Sequence, residues 1–473
     1  VSNVLLDGGN VFNIFGGSNA SGDVTISNVI AETGVATNIF GGNNIGGTTA
    51  TTNVTINGGD IENVYGGGEK TDVTESSNVI LNAKAFNVFG GSDSAGVVNV
   101  SYISINDGIA TNVYGGNNLG GTTTTANIRI NGGVLKNVYG GGLKAYTTAT
   151  NINMIYGNVF NIFGGGSQAG VGVTHVNLNK GYIQNTFGGS NTNGDVEVSN
   201  IKNISSSLSE SNLTVDTSFS ASSINQSGIS DMVSSETITV DIANQTGVNI
   251  TKWDFYLYTN SLVLDSNWSG TNVEEIDGLL HADEVSQWYG TNPINNGTVY
   301  NFSFNIHSYV EYEEFKILGY TMIGYDDTGN KYQTSYFKEL YNSNIFGGNN
   351  LGGQTKTSNI NLTSGIVDLV YGGGEKATTE LANVIIDGAV INKAVYGGGN
   401  EAPSVTTEDP DKQYDITSDY KEIAGSLDEV ESKNEQGAGN LYESGKKAGE
   451  INVLCYYEFD KIGPECEILD VFA

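Results

Sequence analysis

The side chains able to do chemistry are few, and their spacing decides what they can do. Glycoside hydrolysis takes two carboxylates roughly 5–10 Å apart. Asp60 and Glu62 stand on one short run, but the neighbouring copies of that run offer no equivalent pair. A lyase would want Ca²⁺ ligands and a basic residue. The only arginine, Arg129, lies in Asn127-Ile128-Arg129-Ile130-Asn131 and reads as an exposed strand residue. His175, His281 and His307 are scattered, without metal-ligand spacing. The many Gly-Gly pairs are not followed by Gly-Lys-Ser/Thr, so they are not phosphate loops, and the repeated Asp of Ca²⁺-binding nonapeptides is missing. Runs such as Thr122-Thr123-Thr124-Thr125 recur only every third unit, too sparsely for a flat ice-matching array. Catalysis is therefore not expected, and no cofactor is called for, with Ca²⁺ on acidic turns left open. The two cysteines, Cys455 and Cys466, are candidates for one disulfide.

What remains is recognition chemistry, and its residues are aromatic. The apolar face of a ring can cover the axial C–H groups of a pyranose while amides and hydroxyls take the sugar hydroxyls. All three tryptophans, Trp253, Trp268 and Trp288, fall between residues 205 and 341. Elsewhere an aromatic followed by Gly-Gly recurs at Phe15, Phe40, Tyr65, Phe89, Tyr114, Tyr139, Phe163, Phe187, Phe346, Tyr371 and Tyr396. The steps are 24 or 25 residues except for one gap of 159. A fixed period in this range is the signature of a solenoid.

Each unit holds an alternating segment such as Asn53-Val54-Thr55-Ile56-Asn57, a Gly-rich turn, and a second alternating segment that ends in the aromatic. Alternation rich in Val, Ile and Thr, bounded by Gly, predicts strands with one buried face. The fold expected is all-β: a parallel β-helix of about eleven coils carrying an inserted antiparallel β-sandwich. The residue before each aromatic is apolar in ten of the eleven units, with Thr186 the exception, and should face the core. Two residues before the aromatic stands Asn13, Asn38, Asn63, Asn87, Asn112, Asn137, Asn161, Asn185 or Asn344. Equal positions stack at about 4.8 Å in a solenoid, which makes an Asn ladder beside an aromatic ladder. Two readings of these ladders stay open: staples between coils, or a flat surface that receives a sugar chain or another protein.

A slower rhythm overlies the first. Turns after the aromatic cycle through a Ser type (Ser18, Ser92), an Asn-Asn-x-Gly-Gly type (Asn43, Asn117, Asn349) and a Gly-x-Lys type (Lys70, Lys144, Lys376). From Phe15 to Phe89 the step is 74 residues, so three coils form one higher-order block.

The chain of 473 residues has 65 glycines, four prolines and a net charge of −32. That charge argues against nucleic acid and anionic lipid as partners. No run approaches the 18 or so apolar residues of a membrane span. With Val1 at its start, the chain reads as a piece of a larger exported protein.

Four segments follow: solenoid over 1–204, closing an eighth coil at Val196 to Ile201; an insert over 205–341; solenoid again over 342–403; and an acidic extension, 404–473, expected to cap the coils. In the insert, Glu236 to Ala243, Lys252 to Thr259, Thr298 to Ile306 and Phe315 to Tyr325 are the expected strands. Its order of residues, Thr239-Val240-Asp241-Ile242-Ala243-Asn244, Lys252-Trp253-Asp254-Phe255, Asn267-Trp268-Ser269-Gly270 and Thr298-Val299-Tyr300-Asn301-Phe302, resembles family 2 cellulose-binding modules and more weakly family 3. The resemblance implies that Trp253 is structural and that Trp268 is a binding platform, with Trp288 and Tyr289 supplying a further surface aromatic. The Tyr-Gly-Gly-Gly repeats resemble adhesin-like arrays of exported bacterial surface proteins, which implies an extracellular or cell-surface location. The expectation is a non-enzymatic adhesin or scaffold whose partner is an insoluble plant-type polysaccharide, cellulose favoured. The alternatives are a structural, filament-forming protein that self-associates and, more weakly, a polysaccharide lyase or hydrolase.

Overall fold

The computed structural model describes residues 1–106, 108–203, 219–227, 235–259, 285–290, 293–307, 317–329, 331–337, 339–402, 450–455 and 471–472. Every regular element among them is a strand, and most wind into a parallel β-solenoid of about 12 turns. One coil shows why. Thr48–Ile56 and Asp60–Tyr65 are joined by a tight turn in which Gly59 takes φ of 90°, a left-handed conformation that favours glycine. Val54, Ile56, Ile61 and Val64 turn inward and are buried. Each sits on an apolar residue of the next coil, Val79, Leu81, Ala85 and Val88, so the core is one continuous column from Leu6 to Val395. Burial of such a side chain stabilises by about 1.5–3 kcal/mol, and in a solenoid that gain is realised only against neighbouring coils.

Eleven coils carry the aromatic and its Gly-Gly. A further coil lies beyond the last Gly-Gly unit: Glu450–Cys455 pairs with Thr378–Ile386, and Val471–Phe472 pairs with the strand ending at Tyr396. The segment expected to cap the solenoid thus contributes two strands that extend it, with Asn452 in register with Asn383 and Phe472 with Tyr396. One boundary differs from the expected one. Val196–Asn203 pairs with the first strands of the coils on either side, so it opens the ninth coil instead of closing the eighth. Leu340–Phe346 completes that coil, and residues 204–339 enter at its tight turn.

The three-coil rhythm has a steric cause. The third residue after the aromatic points into the turn. Where it is Asn117, its Oδ1 accepts from the backbone N–H of Ser92 in the preceding coil and from the Thr123 hydroxyl, while Nδ2 donates to the carbonyls of Gly96 and Gly120. Asn43 and Asn349 repeat this pattern. The coil after each of these has Gly68, Gly142 or Gly374 there, because a Cβ would lie 2.2–2.3 Å from the Asn carbonyl oxygen. An Asn turn is therefore followed by a Gly turn.

The inserted stretch contributes two small antiparallel sheets. One orders Phe219–Ser227, Ser235–Asn244 and Val299–His307; the other orders Val285–Gly290, Lys252–Thr259, Ile317–Tyr325 and Lys331–Phe337. Trp253, 1% exposed, lies 5.8 Å from Tyr300 of the other sheet. The second sheet rests on the solenoid: Tyr256, Ile323 and Phe337 bury Tyr182, Tyr341 and Ile366 of the coils. Tyr156 meets Phe337 edge-on at 5.3 Å and accepts a hydrogen bond from its backbone N–H. The strand position that presents exposed Asp60 and Lys84 in early coils is aromatic or aliphatic at Tyr182, Tyr341 and Ile366, where the insert covers it.

Candidate binding surface

The aromatic ladder is continuous from Phe15 to Tyr396. Successive rings stack with centroids 4.6–5.0 Å apart and planes within 4–9° of parallel. From Phe40 to Tyr371 every ring is buried. The cover comes from turns of later coils: Asp93 and Asn118 stand beside the Tyr65 hydroxyl, and Asn191 Nδ2, two coils on, donates to the Tyr139 hydroxyl at 3.4 Å. Burial also holds the phenols of Tyr65, Tyr114, Tyr139 and Tyr371 above the usual tyrosine range. Of the two readings of this ladder, stapling is the one its geometry supports, since its ring faces are spent on one another.

The Asn ladder beside it is half-buried and regular. Each Nδ2 donates to the Oδ1 of the preceding coil at 2.8–3.0 Å, from Asn38 on Asn13 to Asn344 on Asn185. An amide has two donor hydrogens and two acceptor lone pairs, so a rung has one of each beyond its ladder bonds, and Asn63 spends the second donor on the Thr37 carbonyl. Two further Asn ladders run along the coils. One links Asn3, Asn28, Asn53 and Asn78 before Tyr102 interrupts it. The other links Asn57, Asn82, Asn106 and Asn131. Their signal is in the run Asn53-Val54-Thr55-Ile56-Asn57, which alternation identifies as a strand without showing that its outward residues stack.

The candidates from the insert are placed unequally. Trp288 and Tyr289 lie on the edge strand Val285–Gly290, in register with Phe255 and Asp254. Trp268 lies outside the described residues, as does Cys466; Cys455 ends the strand that pairs with Ile386. Arg129 is exposed and donates from Nε to Asn131 Oδ1. Asp60 and Glu62 are exposed on one strand, and the next coil sets Lys84 and Phe86 at the same positions. His175 stands in register with Asn151 and Asn200, and His281 is outside the described residues. Among the described residues no three His, Cys, Asp or Glu side chains gather as metal ligands would, and no helix is long and apolar enough to cross a membrane.

No family model matches the chain, and neither a curated protein nor a solved structure matches it. The likeness to cellulose-binding modules and adhesin-like repeats therefore rests on the residues quoted above.

Proposed function

We propose that this chain is an extracellular, non-enzymatic rod that holds a polysaccharide-binding module at a fixed place along its length. The observation that carries this is the docking cluster of Tyr182, Tyr256, Ile323, Phe337, Tyr341 and Ile366. A module joined only by linkers would leave the solenoid surface polar; here the coils supply aromatic rings for it to sit on. A rigidly seated module loses less freedom on engaging an insoluble surface than a tethered one. The substrate class comes from the resemblance of residues 239–304 to cellulose-binding modules, and from the aromatic candidates Trp268, Trp288 and Tyr289.

The test is adsorption of the whole chain to insoluble cellulose, xylan and chitin, with Trp268→Ala and Trp288→Ala beside it. The parent should deplete from solution on at least one of the three. At least one variant should bind that polymer about tenfold more weakly, the equivalent of one well-placed ring contact. Adsorption by both variants equal to the parent's would remove the module from the binding role and favour a structural rod that associates with itself.

A further inference from the structure

One column of the solenoid sets an outward-facing phenylalanine at regular intervals. Three residues before the ladder aromatic, where the strand bends so that two successive side chains face outward, the residues run Phe12, Thr37, Glu62, Phe86, Thr111, Lys136, Phe160. The phenylalanines recur every 74 residues, one per three-coil block. Phe12 is 71% and Phe86 51% exposed, and Phe160 is half-buried. At about 4.8 Å per coil the rings stand about 14 Å apart along the axis. Each lies next in sequence to a rung of the Asn ladder, Asn13, Asn87 or Asn161.

We infer that this strip is a second polysaccharide-binding surface, on the coils themselves, for an uncharged glycan chain lying along the solenoid axis. It rests on the proposal that the protein binds polysaccharide, and it adds a site that the insert does not contain. Its parts match the ligand one by one. Isolated rings separated by two polar rungs give an apolar face at intervals, as a pyranose chain needs, and not the contiguous apolar patch of a protein interface core. Asn13, Asn87 and Asn161, the rungs next to the rings, each carry a donor and an acceptor beyond their ladder bonds, the pair of functions that a sugar hydroxyl takes. A net charge of −32 repels polyanionic glycans and leaves neutral ones. Two surfaces on one rigid rod that engage one insoluble polymer reinforce each other through effective concentration.

Adsorption isotherms on cellulose, xylan and chitin decide it, with four whole-chain proteins: parent, Phe86→Ser/Phe160→Ser, Trp268→Ala/Trp288→Ala, and the quadruple variant. Far-ultraviolet circular dichroism checks that each remains folded, and sedimentation reports its association state. Loss of two ring contacts should weaken adsorption at least about tenfold in the phenylalanine pair, and the quadruple variant should fall below either pair. If the phenylalanine pair adsorbs like the parent while the tryptophan pair does not, the strip is overturned and the module stands. The converse upholds the strip and removes the module. A parent that adsorbs to none of the three polymers overturns both. A phenylalanine pair that loses only self-association assigns the rings to contacts between copies and overturns the strip.

Discussion

Asn117 shows how much of this fold is decided by single polar side chains. It is fully buried, yet all four of its hydrogen-bonding capacities are met, two by the neighbouring coil and two by its own turn. Truncation strands a buried Ser92 N–H and two carbonyls, and each stranded group costs about 1–3 kcal/mol. Asn117→Ala is therefore expected to lose about 3 kcal/mol in guanidinium unfolding, against about 1 kcal/mol for Asn112→Ala, a half-buried rung whose freed partners can turn to water. Equal losses would mean that the buried amide is no more than another rung. The sequence shows an Asn at this position in the second, fifth and ninth coils. It does not show the reason, because the obligatory glycine of the next coil is set by a distance between a Cβ and a carbonyl one coil away.

At the scale of elements, the aromatic ladder was legible in position and illegible in exposure. The period placed every ring up to Tyr396, and alternation placed the ring on the outward face, but only the turns of neighbouring coils bury it. That burial has a consequence with pH. The phenols of Tyr65, Tyr114, Tyr139 and Tyr371 are raised above the ordinary value of 10.0 by desolvation, and Tyr325 at the insert is pushed up to about 12. A raised folded-state value means that the unfolded chain ionises first. Stability from these groups is complete below about pH 10 and is lost as pH climbs from there through the folded values. Guanidinium midpoints taken from pH 8 to pH 12 should be level up to about pH 10 and then fall, together with the rise in phenolate absorbance. A midpoint that stays level to pH 12 would show that the rings ionise without unfolding. In the insert, the four alternating runs correspond to the strands Ser235–Asn244, Lys252–Thr259, Val299–His307 and Ile317–Tyr325. Phe219–Ser227, Val285–Gly290 and Lys331–Phe337 were missed, since short polar or aromatic strands need their neighbours to be recognised.

For the whole molecule, the solenoid is a sum of coils and interfaces, so its stability follows the order in which turn types meet. Duplicating residues 41–114 after Tyr114 adds three coils and leaves every Ser turn followed by Asn and every Asn turn followed by Gly. Duplicating only 41–65 after Tyr65 sets one Asn turn on another, where Gly68 stands now and where a Cβ would meet the Asn43 carbonyl oxygen at 2.2 Å. The longer insertion is expected to melt at or above the parent temperature, because matched coils add interfaces without strain. The shorter one should melt below it, with a penalty of about 1–3 kcal/mol for overpacking. Differential scanning calorimetry of the three proteins separates these outcomes by sign. If both insertions shift the transition in the same direction, turn order does not govern the rod, and the 74-residue rhythm would record only how the gene was duplicated.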